Sequence, residues 1–196
     1  MKSYVFLDRD GTINIDYGYV FRPEQIDLEH GAAKAIASLC RSGFKVVVVS
    51  NQSAIGRGMA SDKDVRQTNE ELQRKLLAED DDAKIDSFLY SPDAPGYLDA
   101  SGCPSQTRKP ATGLLRPLLE AGKVNVSGSW MLGDKLSDID FGVAIGLPIE
   151  QNLHLLTGHG MEDREKVTQK YHGQVNSFPS IRQAVEFILS QRKSFC

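Results

Sequence analysis

Asp8 and Asp10 stand two residues apart in FLDRDGTIN, directly after the apolar run Tyr4 to Leu7. A carboxylate at a strand end can attack an electrophile, and a second one beside it can handle the proton. Further along, Ser50 and Asn51 follow a run of valines, Arg108 and Lys109 close a long polar stretch, and Asp134 follows another apolar run. Together these types suit phosphoryl transfer through an aspartyl-phosphate. Asp8 would attack phosphorus, Asp10 would act as acid and then base, and Lys109 would offset phosphate charge. Repulsion between two anions opposes that attack, so a hard cation such as Mg²⁺, held by oxygens of Asp8 and Asp134, is expected. The Ser50 hydroxyl and the amides of the turn after it would orient the phosphate oxygens.

Residues this distant in sequence meet only if the elements between them bring them to one edge. Short apolar runs at Tyr4 to Leu7, Lys45 to Val49, Ile85 to Tyr90, Ser129 to Leu132 and Leu147 to Leu153 read as strands. Between the first two, Ala32, Ala35, Ile36, Leu39 and Cys40 recur at helical spacing, with Gly43 as a stop. Ser61 and Asp64 form a capping signal for a helix whose face carries Val65, Thr68, Leu72 and Leu76, and the Glu79 to Asp82 run reads as its solvated end. Leu114, Leu115, Leu118 and Leu119 mark a third helix, in which Pro117 should cost a hydrogen bond or a bend. A fourth helix spans Leu136 to Ile145, and Ser180 caps a last one with Ile181, Val185, Ile188 and Leu189 inward. The alternation predicts an α/β fold, a Rossmann-like parallel sheet sandwiched by helices, as one domain over residues 1–196. In such sheets ligands bind beyond the carboxyl ends of the strands, where every candidate above falls. Residues 91–107, rich in Pro, Gly, Ser and Asp, read as a long loop bordering that edge.

Composition narrows the partner. The chain has 196 residues, 40% hydrophobic and 25% charged, with a net charge of -3, so neither nucleic acid nor an anionic membrane is expected to attract it. A small solute is the expected partner. Cys40, Cys103 and Cys196 are odd in number and widely spaced, which argues for a reducing compartment, with Cys40 packed on its helix and Cys196 exposed and incidental. MKSYVFLDRDG has no long apolar stretch, and no run approaches the roughly 18 apolar residues of a membrane span, so a cytoplasmic protein is expected. His30, His154, His159 and His172 are scattered and adjoin no motif, so they read as surface or core residues. TGHG at 157–160 reads as a turn, with a place flanking the site as the alternative.

The ordered set Asp8-Arg9-Asp10-Gly11-Thr12, Ser50 in VVVVSNQS, Lys109 in TRKP, and GDKLSD with Asp134 and Asp138 resembles the four motifs of the haloacid dehalogenase superfamily of phosphatases. The resemblance implies Asp8 as nucleophile, Asp10 as acid and base, and Mg²⁺ held by Asp8, Asp134 and the main-chain oxygen of Asp10. Asp138 is then an orienter of Lys109 or Lys135, a helix cap, or a further metal group. LDRDGTIN, DYGYV, SNQSAIGRG, RKP and GDKLSD, in this order, are similar to two compact groups without a large cap domain: the D-glycero-D-manno-heptose 1,7-bisphosphate phosphatases and the histidinol-phosphate phosphatases. That likeness implies substrate contacts at Asp16, Tyr17, Gly18, Tyr19, Asn51, Gln52, Ser53, Arg108 and Lys135, while Arg57 stands between a phosphate contact and a surface charge. It favours a monomer acting on a sugar bisphosphate, with heptose 1,7-bisphosphate as first substrate, on the route to nucleotide-activated heptose for surface glycans, and histidinol phosphate as its rival. Outside this chemistry, a dehalogenase has no use for Asp10 or the metal group, and a receiver-type phosphate-binding module has no use for turnover machinery.

One departure stands out. These groups carry a C-x-H and a C-x-C pair on the long loop as four ligands of a structural zinc, whereas the matching positions here are Ser91, Asp93, Ser105 and Thr107. No structural zinc is expected, and the loop must be organised by its own packing.

Overall fold

The computed structural model describes residues 1–193, so Cys196 lies outside the described residues. Six strands, β1 Tyr4–Leu7, β2 Lys45–Asn51, β3 Ser87–Ser91, β4 Trp130–Gly133, β5 Asn152–Leu155 and β6 Ser177–Phe178, form one parallel sheet in the order β3-β2-β1-β4-β5-β6. The helices are α1 Ala32–Arg41, α2 Asp62–Glu79, α3 Arg116–Glu120, α4 Leu136–Ala144, α5 Gly160–Lys170 and α6 Ile181–Lys193. The chain winds outward from β1 to β3 and then, starting beside β1 again, outward from β4 to β6. The reversal lies between β1 and β4, where a crevice opens at the carboxyl edge.

Side chains of neighbouring strand positions point to opposite faces. Val5 and Leu7, with Val46 and Val48, pack under α1, α2 and α6 against Ile36, Leu39, Leu72, Leu76, Ile181 and Ile188. Tyr4 and Phe6, with Val47 and Val49, pack on the other face against Leu115, Phe141, Ile145 and Leu147. Val5, Phe6 and Leu7 are fully buried, each worth about 1.5–3 kcal/mol, which fixes the strand and delivers Asp8 to its rim. Two apolar faces on one sheet are what the continuous valines required. Among the described residues no large cap is evident, and no helix is long and apolar enough to cross a membrane.

Several boundaries differ from the sequence expectation. β2 runs on through Ser50 and Asn51, which are its last two residues and do not follow it. The run Leu147 to Leu153 is not one strand: Pro148 opens a short 3-10 turn at Ile149–Gln151, and β5 begins only at Asn152. Pro117 neither bends nor breaks a helix, because α3 starts at Arg116 and leaves the proline in the first turn, where an amide has no intrahelical acceptor. α5 and β6 have no counterpart in the sequence reading. α5 is mostly polar with Val167 buried, and β6 has only two residues.

Candidate active site

The Asp8 amide donates to the Leu132 carbonyl (3.0 Å), the last rung between β1 and β4. The chain then turns sharply. The Arg9 carbonyl accepts from the amides of Thr12, Ile13 and Asn14, and Gly11 takes φ +80°. Glycine is required at residue 11, since a Cβ would stand 2.5 Å from an Asp134 oxygen in a backbone conformation that side chains disfavour. Asp10 therefore faces the crevice because of this turn, and not because of the strand pleat.

Beneath the crevice lies a closed set of charges. Lys109 Nζ reaches Asp8 Oδ1 (2.7 Å), Asp138 Oδ1 (2.7 Å) and the Val49 carbonyl (2.6 Å), and is almost fully buried. Burial would lower the lysine pKa, but Asp138 and Asp8 outweigh it and hold the ammonium charged. Burial likewise opposes charge on Asp8, and Lys109 with Lys135 reverses this, keeping the carboxyl below the usual range. Asp8 is thus ionised and desolvated at the wall of the cavity. Asp138 has two tasks: Oδ2 accepts from the Lys135 amide (3.0 Å) at the start of α4, and Oδ1 holds Lys109. Gly133 makes room for it, as a Cβ there would meet Asp138 at 2.3 Å.

Oxygens of Asp8, Asp134 and Asp138 lie within 4.8 Å of one another. Asp134 is fully buried, its Oδ1 has no hydrogen-bond partner, and burial together with the charge of Asp8 pushes its pKa up to about 8. Hard oxygen donors, one of them orphaned in a site with excess negative charge, fit a small divalent cation. Mg²⁺ is the ion such a donor set suits.

Asp10 is held by Arg9 and Asn14, which the sequence reading did not single out, and by Gln52, which it gave to the substrate. Fully buried Arg9 donates from Nε to Asp10 Oδ1 (3.0 Å) and from Nη2 to Oδ2 (3.0 Å), and also reaches Asn69 of α2, Gln52 and the Val20 carbonyl. Gln52 (2.9 Å) and Asn14 (2.9 Å) donate to the same carboxylate. An arginine flanked by two carboxylates in a buried stretch was the available signal.

TGHG also belongs to the site: it is a turn that flanks it, and His159, which adjoins no motif in the sequence, lines the cavity. The Thr157 hydroxyl donates to the Gly11 carbonyl (2.6 Å), and the His159 amide to Asp134 Oδ2 (2.8 Å), so this turn closes over Asp134. His154 is a core residue, fully buried. Burial lowers its pKa, and its Nε2 meets the Asp134 carbonyl (3.1 Å), which requires the proton on that nitrogen. His30 and His172 are exposed, as expected.

Above these charges is a cavity of about 360 Å³. Asp8, Asp10, Asp16, Gly18, Tyr19, Ser50, Asn51, Gln52, Ser53, Arg108, Lys109 and Lys135 line it, so the structure brings most of the sequence candidates together. Asp16 pairs with Lys135 (3.2 Å) and lies 3.5 Å from His159 Nε2. The Asn51 side chain is committed to the backbone of Lys109, accepting from its amide (2.8 Å) and donating to its carbonyl (3.3 Å). Two candidates do not line it. Tyr17 is exposed with its hydroxyl on Asp27 (3.1 Å), and Arg57 sits over the Tyr19 ring, 5.8 Å from its centroid.

A HAD-hydrolase-like family model matches residues 106–183, which hold Lys109, Asp134 and Asp138. D-glycero-beta-D-manno-heptose-1,7-bisphosphate 7-phosphatase of Haemophilus influenzae is 35% identical over 162 residues, 81% of this chain and 84% of that protein. The chain belongs to the haloacid dehalogenase-like phosphatases. It is accordingly a phosphoric monoester hydrolase by family. The Escherichia coli K12 protein of the same name is 36% identical over 141 residues, 71% of this chain and 73% of that one. The crystal structure of D,D-heptose 1,7-bisphosphate phosphatase from B. bronchiseptica, complexed with magnesium and phosphate, superposes with a TM-score of 0.80. It is 25% identical, covering 97% of this chain and 99% of that one.

Proposed function

We propose that this phosphatase removes the 7-phosphate of D-glycero-D-manno-heptose 1,7-bisphosphate by way of a phosphate ester on Asp8, in the synthesis of nucleotide-activated heptose. The observation that carries the reading is the ionised Asp8 held by Lys109 beneath a cavity that also receives Arg108 and Lys135. An Asp8 oxygen bonds to phosphorus as the ester P–O bond breaks, and the leaving alkoxide takes a proton from Asp10. Asp10 then takes a proton from water, whose oxygen attacks phosphorus and frees Asp8. The Ser50 hydroxyl accepts from Gln52 (2.8 Å), so its own proton is available to a phosphate oxygen. Mg²⁺, held by Asp8, Asp134 and the main-chain oxygen of Asp10, would neutralise charge on the incoming phosphate.

Substrate choice follows from what remains charged. After Lys109 has satisfied Asp8 and Asp138, Arg108 is a cation at the cavity with no carboxylate at ion-pair distance among the described residues. A second anionic group on the substrate matches it. Histidinol phosphate offers an ammonium instead, and the carboxylate best placed for that, Asp16, is already paired with Lys135. The heptose phosphatases named above support the same preference. Phosphate release with Mg²⁺ should be measured on both anomers of heptose 1,7-bisphosphate, on fructose 1,6-bisphosphate and on histidinol phosphate. A heptose bisphosphate should be the best substrate. Preference for histidinol phosphate would reverse the assignment, and inactivity on all four would favour a phosphate-binding module.

A further inference from the structure

Ser91, Asp93, Ser105 and Thr107, the four positions where the family resemblance implies zinc ligands, come together in this chain without suiting zinc. Ser105 Oγ (2.5 Å) and Thr107 Oγ1 (3.2 Å) donate to Asp93 Oδ2, and Ser91 Oγ lies 2.8 Å from Thr107 Oγ1. Two hydroxyls on one carboxylate, with a third on Thr107, lack the soft sulfur and imidazole donors of a structural zinc site, and their lone pairs and protons are spent within the cluster. The same knot grips Arg108 at two points. Ser105 Oγ accepts from the Arg108 amide (2.9 Å), and the Asp93 carbonyl accepts from Arg108 Nη1 (2.9 Å). It also reaches the opposite wall, because the Ser91 and Pro92 carbonyls accept from the amides of Gln52 (2.8 Å) and Gly56 (2.9 Å).

We infer that Asp93 is a positioning residue: with the three hydroxyls it forms a metal-independent clasp that aims the Arg108 guanidinium at the part of the substrate remote from the reacting phosphate. Asp93 does not touch the reacting atoms. Its carboxylate accepts from the Ser105 and Thr107 hydroxyls and so fixes both rotors as donors, which leaves a Ser105 lone pair for the Arg108 amide. Without it, both hydroxyls would be free to turn and the guanidinium would lose its fixed direction. This inference rests on the sugar bisphosphate reading, since only a substrate with a second anionic group gives Arg108 work to do.

The test compares kinetics on a sugar bisphosphate and on p-nitrophenyl phosphate, which has no second anion, for the parent chain, Asp93→Ala and Asp93→Asn. Asp93→Ala should raise KM for the bisphosphate by about 10- to 100-fold, the scale of an ångström-level misplacement, and leave kcat/KM for p-nitrophenyl phosphate within about twofold. Asp93→Asn keeps an acceptor oxygen and should recover part of the loss. Adding Asp93→Ala to Arg108→Ala should raise KM no further. Amide exchange at Arg108 should quicken in Asp93→Ala. Equal losses on both esters, additive effects with Arg108→Ala, unchanged exchange, or stoichiometric zinc in the purified protein would overturn the clasp. If the parent chain hydrolyses neither ester, the phosphatase reading fails, and the exchange measurement still decides the clasp.

Discussion

Replacing Arg9 with methionine isolates the residue that ties the turn after β1 to the rest of the site. The thioether chain fills much of the same space, but every donor goes. Asp10 loses its two guanidinium hydrogen bonds, and Asn69, Gln52 and the Val20 carbonyl each lose a partner at a fully buried position. Breaking a buried pair by removing one member costs about 3–5 kcal/mol, because the other charge stays behind uncompensated. With an m-value of about 2 kcal/mol/M, the urea midpoint should fall by roughly 1.5–2.5 M. Turnover should fall as well, by about 100-fold, because Asp10 would no longer be held where the leaving oxygen departs. Arg9→Lys should recover less than half of the stability, since an ammonium cannot grip both carboxylate oxygens as a planar fork does. Equilibrium urea unfolding followed by tryptophan fluorescence, with steady-state kinetics on the folded variant, measures both. A midpoint within about 0.3 M of the parent together with unchanged kcat would refute the clamp, since that shift is smaller than the cost of one buried hydrogen bond.

Asp134→Asn should abolish the thermal stabilisation that Mg²⁺ gives the parent chain, as read by scanning calorimetry. In the metal-free parent, a carboxyl pushed up to about 8 binds its proton more tightly folded than unfolded, so stability declines as pH rises from about 4 towards 8. The Mg²⁺-induced rise in Tm should therefore be larger at pH 8 than at pH 5 in the parent. Gly11→Ala should destabilise by about 2 kcal/mol or more in urea titrations and weaken Mg²⁺ binding in calorimetric titration, because its Cβ would displace the Asp134 oxygen 2.5 Å away. Pro117→Ala should cost only about 0.4–1 kcal/mol, the unfolded-chain entropy of a compatible proline, and leave helix content unchanged by circular dichroism.

Much of this architecture was legible because local pattern and global fold agree. Valines at 46–49 read as a strand buried on both faces, and Ser61 with Asp64 read as the start of α2, where the serine does accept from the aspartate amide (3.2 Å). Asp8, Ser50 and Asp134 were visible as residues at or beside strand ends, and Lys109 as a residue closing the long loop. What pattern could not show is contact made by turns. Nothing in the spacing says that TGHG folds back on Gly11, because that depends on the two glycine backbones abutting, with the Gly158 Cα 3.1 Å from where a Gly11 Cβ would stand. Arg9 looked like the spacer between two acids, since its role arises only when α2 brings Asn69 alongside. α5 escaped notice because a mostly polar helix leaves little hydrophobic periodicity to read.

The account turns on Asp8 forming a bond to phosphorus. A single turnover of phosphorus-labelled sugar bisphosphate with Mg²⁺, quenched in acid within milliseconds and analysed for protein-bound label, tests it directly. The parent chain should carry transient label on the peptide containing Asp8, and Asp8→Asn should carry none and release no phosphate. Free phosphate appearing with no labelled protein at any time, or near-parent turnover by Asp8→Asn, would contradict the mechanism.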